Sequence, residues 1–304
     1  MKTFYSHGKL LISAEYVVLD GAKALAVPTV FGQHLTVDII DQPKLIWTSL
    51  HKDKTVWFED EFSLKQIASS ITSDNDIYDR LLQILKAAKQ LNPKFLKDNT
   101  GFKVTTQLEF PKNWGLGTSS TLINNIAQWA NVDPYKLLEL TFGGSGYDIA
   151  CAKNSTAINY QLVNGNPNVE LVDFNPKFSE HLYFVHLNKK QNSRDGIAHY
   201  KANKPDLNKT IIEINILTKQ LANCDTLELF QNLIDEHETL IAKITNQKPV
   251  KETLFNDLNG SIKSLGAWGG DFVLVASKTN PIDYFKSKGF DTILKYDEMV
   301  LSKV

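Results

Sequence analysis

The sequence predicts an α+β protein in which glycine turns join strands to helices. The N-terminal region alternates apolar and polar residues as strands do, and several later segments space apolar residues as amphipathic helices do. Glycine clusters stand between these segments. The 304 residues, 42% of them hydrophobic, suffice for one large domain or two ordinary ones with a substantial core.

The charge balance, the cysteine content and the lack of long apolar runs limit the kinds of partner and of site that we expect. The 33 basic and 34 acidic residues leave a net charge of −1, which argues against nucleic acid and favours a small-molecule substrate. Cys151 and Cys224 lie far apart without metal-ligand spacing, so we expect neither a disulfide framework nor a zinc site. The sequence shows no signal peptide and no apolar run of membrane-spanning length, so we expect a cytoplasmic protein without a membrane partner.

In chain order, the first part of the sequence favours strands. Residues 3–6 and 10–19 predict two strands around a turn at residues 6–9, and Glu15 interrupts the second of them. Because a buried carboxylate needs a partner, we expect Glu15 to face either solvent or a ligand. Further strands are predicted at residues 24–29, 34–40, 45–57 (a hairpin) and 102–110, and a helix at residues 77–91.

The second part alternates helices and strands. Asp133-Pro134 is typical of a helix start, and the Asn-Gly-Asn-Pro sequence at residues 164–167 indicates a boundary between domains 1–170 and 171–304. The predicted helices are residues 119–130, 134–142, 211–221, 227–244, 254–265 and 281–287, and the predicted strands are residues 181–187, 272–276 and 292–296.

A loop rich in glycine and hydroxyl residues, PKNWGLGTSST at residues 111–121, lies between a predicted strand and a predicted helix. Gly115 and Gly117 allow a ligand to approach the main chain closely. Residues 119–121 stand at the helix start, where unpaired N–H groups favour an anion. The loop therefore indicates a phosphate site, although an ordinary strand-to-helix turn has the same pattern.

Three later stretches carry further candidate residues. Asp148 closes a glycine stretch at residues 143–148 and is either a catalytic base or an ordinary aspartate at a helix N-terminus. Arg194 follows two lysines in a polar segment that suits either solvent or an anionic ligand. Residues 266–271 form another glycine turn before a strand.

In this order, the glycine stretches resemble the motifs of the GHMP kinases, small-molecule kinases that include homoserine, mevalonate and phosphomevalonate kinases. Residues 8–19, GKLLISAEYVVL, look like the first motif as mevalonate-pathway kinases carry it. Residues 111–121 resemble the second motif, PxxxGLGSS, and residues 266–270 resemble the third, GAGGGG. The resemblance implies the GHMP kinase fold, with an N-terminal ribosomal-protein-S5-like α/β domain and a C-terminal ferredoxin-like α/β domain.

The resemblance also implies a phosphotransferase that uses ATP and Mg²⁺. Asp148 matches the catalytic aspartate of the family, and Lys9 matches the lysine that pairs with it. The expected ATP-binding residues are Gly115, Leu116, Gly117, Thr118, Ser119 and Ser120. The expected Mg²⁺ ligands are Ser119 and Glu139, the latter as a substitute for a family glutamate that has no match. The expected substrate-binding residues are Glu15, Tyr16, Ser193, Arg194, Gly266 and Ala267.

The resemblance leaves two substrates open. Glu15-Tyr16 resembles phosphomevalonate kinases, because mevalonate kinases usually have Glu-His there, whereas the short chain is nearer to a mevalonate kinase. We therefore expect mevalonate or phosphomevalonate as the substrate, in isoprenoid precursor synthesis, and either a monomer or a homodimer.

Some residues depart from the family pattern. His7 stands where a proline is usual, and Trp268 and Asp271 stand where the third motif has glycines. The altered third motif and the unmatched family glutamate keep one alternative open, a GHMP-fold ligand-binding or sensor protein without catalysis. A kinase for homoserine or a sugar is a further alternative.

Overall fold

The computed structural model describes residues 1–64, 67, 76–97, 100–191, 193–202 and 207–302, and the side chains of residues 193 and 194 lie outside the description. In the described residues, the strands are β1 (Lys2–Leu11), β2 (Ala24–Ile40), β3 (Lys44–Leu50), β4 (Val56–Ser63), β5 (Gly101–Leu108), β6 (Ile158–Val163), β7 (Asn166–Leu171), β8 (Leu182–His186), β9 (Ser261–Ser264), β10 (Phe272–Ala276) and β11 (Ile293–Lys295). The helices there are α1 (Asp76–Leu91), α2 (Thr118–Ala130), α3 (Pro134–Glu139), α4 (Tyr147–Lys153), α5 (Ser193–Ala202), α6 (Asn208–Ala222), α7 (Leu227–Thr245), α8 (Val250–Leu254), α9 (Ile282–Ser287) and α10 (Tyr296–Met299).

The chain forms two compact units, neither of which is one continuous segment. The first unit comprises Met1–Gly8, Phe31–Lys112 and Gly117–Lys153. The second unit comprises Lys9–Val30, Asn113–Leu116 and Asn154–Val304. The division of the chain into domains at residue 170 stays a prediction.

The first unit builds a mixed sheet with helices packed on it. Strand β3 pairs antiparallel with β4 and parallel with β5, and β5 pairs antiparallel with the C-terminal part of β2. Helix α2 packs against α1, α3 and α4. Fully buried side chains such as Trp47, Phe62, Leu85 and Ile126 fill the space between sheet and helices. This core fixes strand β5, which leads into the glycine loop.

Uncharged side chains also hold α2 in the first unit. Ser6 Oγ donates to Asn125 Oδ1 at 2.7 Å, and Asn124 Nδ2 donates to Ser6 Oγ at 2.9 Å. Asn125 Nδ2 donates to the Gln33 carbonyl at 2.9 Å, and Thr121 Oγ1 donates to Gln33 Oε1 at 2.8 Å. All five side chains are buried. These bonds tie the start of α2 to β1 and β2.

The second unit contains an antiparallel sheet in the order β11-β8-β10-β9. Helix α7 packs on β9 and β10, and α6 packs on α7 as the helical pattern predicted. Phe255, Phe285 and the inward residues of β8 and β10 form a buried apolar cluster. In the same unit, β6 pairs with the N-terminal part of β2 and with β7.

The predicted turn at residues 6–9 is wrong, because β1 runs through it from Lys2 to Leu11. The alternating burial of the strand continues across this segment, and Ser6 is bonded to Asn125 inside the unit. The predicted strand at residues 10–19 is also wrong beyond Leu11. The chain turns there and forms one short 3₁₀ helix, Val17–Asp20.

Residues 164–165 form the two-residue turn of the β-hairpin that joins β6 and β7. Asn164 has φ 52° and Gly165 has φ 77°, the left-handed pair that a two-residue hairpin turn requires. Val163 and Asn166 face each other as the last pair of β6 and β7. Asn-Gly is the usual sequence signal for such a turn, and the domain boundary expected after it stays a prediction.

The predicted helix at residues 254–265 is wrong as well. Helix α8 ends at Leu254, and residues 261–264 form β9, which pairs with β10 through Val273 and Ser264. The apolar residues of this segment have helical spacing. However, Asn259-Gly260 interrupts the helical pattern, and the residues after it form a strand because they pair with β10. Most other predicted elements are confirmed to within a few residues. Among the described residues, no helix combines the length and apolar composition that a bilayer crossing requires.

Candidate functional site

Residues 113–116 of the glycine loop belong to the second unit, where Lys9 and His186 contact them. The backbone N–H of Lys9 donates to the Leu116 carbonyl at 3.0 Å, and Lys9 Nζ donates to the Gly115 carbonyl at 3.2 Å. His186 Nε2 lies 3.2 Å from the Asn113 carbonyl oxygen, within hydrogen-bond distance. Lys9 therefore fixes the loop through both its backbone and its side chain.

The Asp271 carboxylate packs directly against Gly115. Gly115 has φ 67°, and a Cβ built there would lie 2.3 Å from Asp271 Oδ2, so this position requires glycine. Asp271 itself has φ 53°, and its Oδ1 accepts from the backbone N–H of Gln191 at 3.3 Å. Burial raises the pKa of Asp271, and the neighbouring Lys9 and His186 oppose this shift.

The loop ends in the first unit at the start of α2. Gly117 is the N-cap residue, with φ 95° and without a side-chain hydrogen bond to the helix. Ser120 Oγ donates to the Gly117 carbonyl at 2.9 Å, whereas Ser119 is exposed. Because the N-cap glycine has no side chain to accept from the first N–H groups of α2, this end of the helix is suited to an anion such as phosphate.

Asp148 lies in the first turn of α4 and is half-buried. Its Oδ1 accepts from the backbone N–H of Ile149 at 3.1 Å. Burial raises the pKa of Tyr135 on α3 to about 12, and the charges of Asp133, Cys151 and Asp148 add to this effect. Asp148 thus occupies the N-terminal turn of a helix, and its role as a base stays a prediction.

The two predicted Mg²⁺ ligands both lie in the first unit. Ser119 is exposed at the start of α2, and Glu139 is exposed at the end of α3. The described residues contain no group of three His, Cys, Asp or Glu side chains that could hold a metal ion. A hydroxyl and a carboxylate are oxygen donors of the kind that Mg²⁺ binds together with phosphates, and the assignment of Ser119 and Glu139 as its ligands stays a prediction.

Glu15 faces neither solvent nor an open ligand site. It is 1% exposed, and Lys263 Nζ donates to its Oε1. Its Oε2 lies 3.4 Å from His237 Nε2, which accepts the backbone N–H of Ala14 at 2.8 Å. The expectation that Glu15 faces solvent or a ligand is therefore wrong, because its partner is a buried lysine on β9.

Glu238 completes a cluster of four buried ionisable residues: Glu15, His237, Glu238 and Lys263. Ser264 Oγ donates to Glu238 Oε2 at 3.0 Å, and Lys263 Nζ lies 3.9 Å from Oε1. Burial outweighs this attraction and raises the pKa of Glu238 to about 8, so Glu238 is mainly protonated at neutral pH. Burial and Lys263 together lower the pKa of His237 well below its usual value.

Tyr16 contacts two of the segments expected to bind substrate. Its Oη accepts the backbone N–H of Trp268 at 3.1 Å, in the turn that contains Gly266 and Ala267. Its ring stacks on Tyr200 of α5 with centroids 5.5 Å apart, and a Cβ on Gly196 would lie 2.8 Å from its Oη. The second unit therefore brings Tyr16, the Gly266 turn and α5 together. Helix α5 begins at Ser193 and Arg194, whose side chains lie outside the described residues.

Several residues of the site were missed from the sequence: His186, His237, Glu238, Lys263 and Asp271 as a contact of Gly115. The sequence did contain one signal for the buried cluster: Glu15 stands alone in an apolar run, and a buried glutamate requires a partner. The sequence could not select Lys263 from the 33 basic residues of the chain.

Three solved structures show what this chain resembles. The Methanococcus jannaschii mevalonate kinase matches with a TM-score of 0.75 at 15% identity, over 99% of this chain and 98% of that chain. The Streptococcus pneumoniae phosphomevalonate kinase, in complex with phosphomevalonate and AMPPNP, matches with a TM-score of 0.73 at 15% identity, over 97% of this chain and 100% of that chain. The Lactococcus lactis galactokinase, in complex with galactose, matches with a TM-score of 0.67 at 13% identity, over 99% of this chain and 94% of that chain.

No protein-family model and no curated protein sequence matches the chain. At 13–15% identity, the structural likeness shows the fold and not the substrate. It confirms the predicted α+β class over nearly the whole chain. The protein therefore has the fold of the GHMP kinases, as the three glycine motifs predicted.

Proposed function

We propose that this protein is a cytoplasmic ATP- and Mg²⁺-dependent kinase that phosphorylates mevalonate or phosphomevalonate. One observation supports this most strongly: three motifs that are far apart in sequence converge on Gly115. Lys9 of the first motif donates to the Gly115 carbonyl, and Asp271, at the end of the third glycine turn, packs against Gly115 in the second. An ordinary strand-to-helix turn would not need partners from both of the other motifs.

The glycine loop would hold the phosphates of the nucleotide. Gly115 and Gly117 have positive φ values of 67° and 95°, and the uncapped start of α2 would accept negative charge. Ser119, with its exposed hydroxyl, would contact Mg²⁺, with Glu139 as the second protein ligand. Bound Mg-ATP supplies the γ-phosphoryl group, and the task of the loop is to hold it in place.

Asp148 and Lys9 would act on the transferred group. A P–O bond forms between the acceptor oxygen and the γ-phosphorus, the bond to the β-phosphate oxygen breaks, and ADP leaves. Asp148 would accept the proton of a hydroxyl acceptor, or would orient the acceptor if it is already a phosphate. Lys9 would stabilise negative charge that develops on the phosphoryl oxygens.

Coupled measurement of ADP release, with ATP, Mg²⁺ and either mevalonate or phosphomevalonate, tests the proposal. Turnover with one of them, absent without acceptor, would support it and identify the substrate. If folded protein turns over neither acceptor, the proposed substrate is wrong.

Asp148→Asn tests the proposed base. We expect kcat to fall by about 10²–10⁴-fold with a hydroxyl acceptor, because the proton acceptor is lost. Asp133→Asn is the matched control: it makes the same change in the same unit, at an N-cap where asparagine serves as well as aspartate. Equal activity of both variants would exclude Asp148 as the base.

A ligand-binding or sensor protein without catalysis is the second candidate. It is favoured by the Asp271 carboxylate, which lies against a loop proposed to hold phosphates. Calorimetry with AMPPNP and with each acceptor distinguishes the two. Binding without ADP release would support the sensor, and turnover would exclude it.

A kinase for homoserine or a sugar is the third candidate, and one of the structures with this fold is a galactokinase bound to galactose. The same ADP-release assay with homoserine and galactose tests it. A kcat/KM higher for either of these than for both mevalonate compounds would favour this candidate.

A further inference from the structure

The backbone from Ala14 to Val17 is strained. Ala14 has φ 69°, and Tyr16 has φ 64° and ψ −50°. The Val17 N–H donates to the Glu15 carbonyl at 2.8 Å across Tyr16. This geometry is a γ-turn of the rare left-handed kind, which residues other than glycine seldom adopt. Such a turn persists only where surrounding structure determines it.

Three buried interactions hold this turn in the second unit. Lys263 donates to the Glu15 carboxylate, and His237 Nε2 accepts the Ala14 N–H at 2.8 Å. The Trp268 N–H donates to Tyr16 Oη at 3.1 Å. Two residues of the turn, Glu15 and Tyr16, and Ala14 immediately before it, therefore each have a bond to a different part of the unit.

Lys263 is the charged member of this set, and strand geometry fixes its position. It lies opposite Leu274 in the β9-β10 pair, and its Nζ also donates to the Ser264 carbonyl at 2.9 Å. Its side chain is fully buried. Because these contacts fix the position of Lys263 Nζ, its ion pair with Glu15 also fixes the carboxylate of Glu15, which is the first residue of the strained turn.

We propose that Lys263 is a positioning residue that acts through Glu15. By holding the γ-turn, it places Tyr16 between the Gly266 turn and α5, where the phosphoryl acceptor would bind. This inference rests on the proposed function. Lys263 would touch neither acceptor nor nucleotide, so its removal should weaken acceptor binding selectively.

The test compares Lys263→Met, the double variant Glu15→Gln with Lys263→Met, and Ile262→Ala. Ile262 is the neighbouring residue on β9 and is buried in the apolar cluster, and successive side chains of a strand point to opposite faces, so Ile262→Ala is a control for lost stability. The measurements are the KM for ATP, the KM for the acceptor, the urea midpoint, and amide hydrogen exchange of residues 12–18.

For Lys263→Met we expect the acceptor KM to rise by about tenfold or more and the ATP KM to change by less than about twofold. We expect faster exchange at residues 12–18 in this variant and not in Ile262→Ala. The double variant should recover urea stability, because no buried charge is left alone, but should keep the high acceptor KM. Recovery of both stability and acceptor KM would overturn the proposal, as would an equal rise in acceptor KM in Ile262→Ala.

If Lys263→Met does not fold, Glu15→Gln replaces it, because this change keeps the shape of the side chain and weakens the same bond. Exchange at residues 12–18 also separates this inference from the proposed function. If wild-type protein turns over no acceptor, the proposed function fails. Faster exchange of the turn in the variant would still support the positioning by Lys263, and unchanged exchange would overturn it.

Discussion

The interiors of the two units differ in the kind of polar group that they bury. In the described part of the first unit, the buried polar side chains are all uncharged: Ser6, Gln33, Thr48, Ser49, Thr106, Ser120, Thr121, Asn124, Asn125 and Ser145. The second unit buries Glu15, His186, His237, Glu238, Lys263 and Asp271 in addition to its hydroxyl groups. Hydrogen bonds between uncharged groups do not change with pH. We therefore expect changes of pH, and substitutions of buried charged residues, to alter the unfolding free energy mainly through the second unit.

The largest expected effect comes from removing one partner of the buried ion pair. Glu15→Met removes the carboxylate partner of the buried Lys263 and leaves it the Ser264 carbonyl and the more distant Glu238 among the described residues, so we expect a loss of about 3–5 kcal/mol in unfolding free energy. Urea unfolding at pH 7 measures it. Combining Glu15→Met with Lys263→Met should recover most of the loss, and a double variant as unstable as the single one would show that charge imbalance is not the cause.

A smaller effect is expected from pH through Glu238. Its pKa in the folded protein, about 8, lies above the ordinary value of 4.5, so the folded state binds more protons between these values. Stability should therefore be highest at the acidic end of this range and fall as pH rises towards 8, by on the order of 2 kcal/mol. Glu238→Gln should remove this part of the slope.

The control for the pH experiment is Glu236→Gln, which changes an exposed glutamate on the same helix. It should leave the slope as it is in wild type. If the unfolding free energies of wild type and Glu238→Gln change in parallel between pH 5 and pH 8, Glu238 does not carry the pH dependence.

The smallest of these effects is expected in the first unit. Asn125→Leu removes the acceptor of the Ser6 hydroxyl and the side-chain donor to the Gln33 carbonyl, at a cost of about 1–3 kcal/mol. Because these groups do not titrate, the loss should be the same at pH 5 and pH 8. Gln128→Leu, at an exposed position of α2, is the control. A loss that depends strongly on pH would contradict the distinction between the two interiors.

The sequence predicted the fold class well because the pattern of most elements agrees with their environment. Helix α1 has an apolar face at helical spacing and one face buried, and β5 alternates in sequence as it does in burial. The errors occur where pairing over long distances overrides local pattern. Strand β9 depends on β10, and the turn at residues 13–17 depends on Lys263, His237 and Trp268.

The candidate site was predictable to the extent that motifs carry it. Lys9 and Gly115 were expected in one site and are bonded to each other, and Tyr16 lies beside the turn that contains Gly266 and Ala267. The buried ionisable cluster was not predictable, because no spacing rule relates Glu15 to residues more than 200 positions away. The catalytic role of Asp148 and the Mg²⁺ ligands stay predictions.

Asp271 shows what the third glycine motif requires. The residue stands where the family has glycine, yet its φ of 53° is one that glycine adopts freely and that aspartate tolerates better than most residues. At this position the chain thus keeps a backbone dihedral angle that suits glycine, with an aspartate in place of glycine. A comparison of dihedral angles at such positions should recognise distant members of this fold where a comparison of residue letters does not.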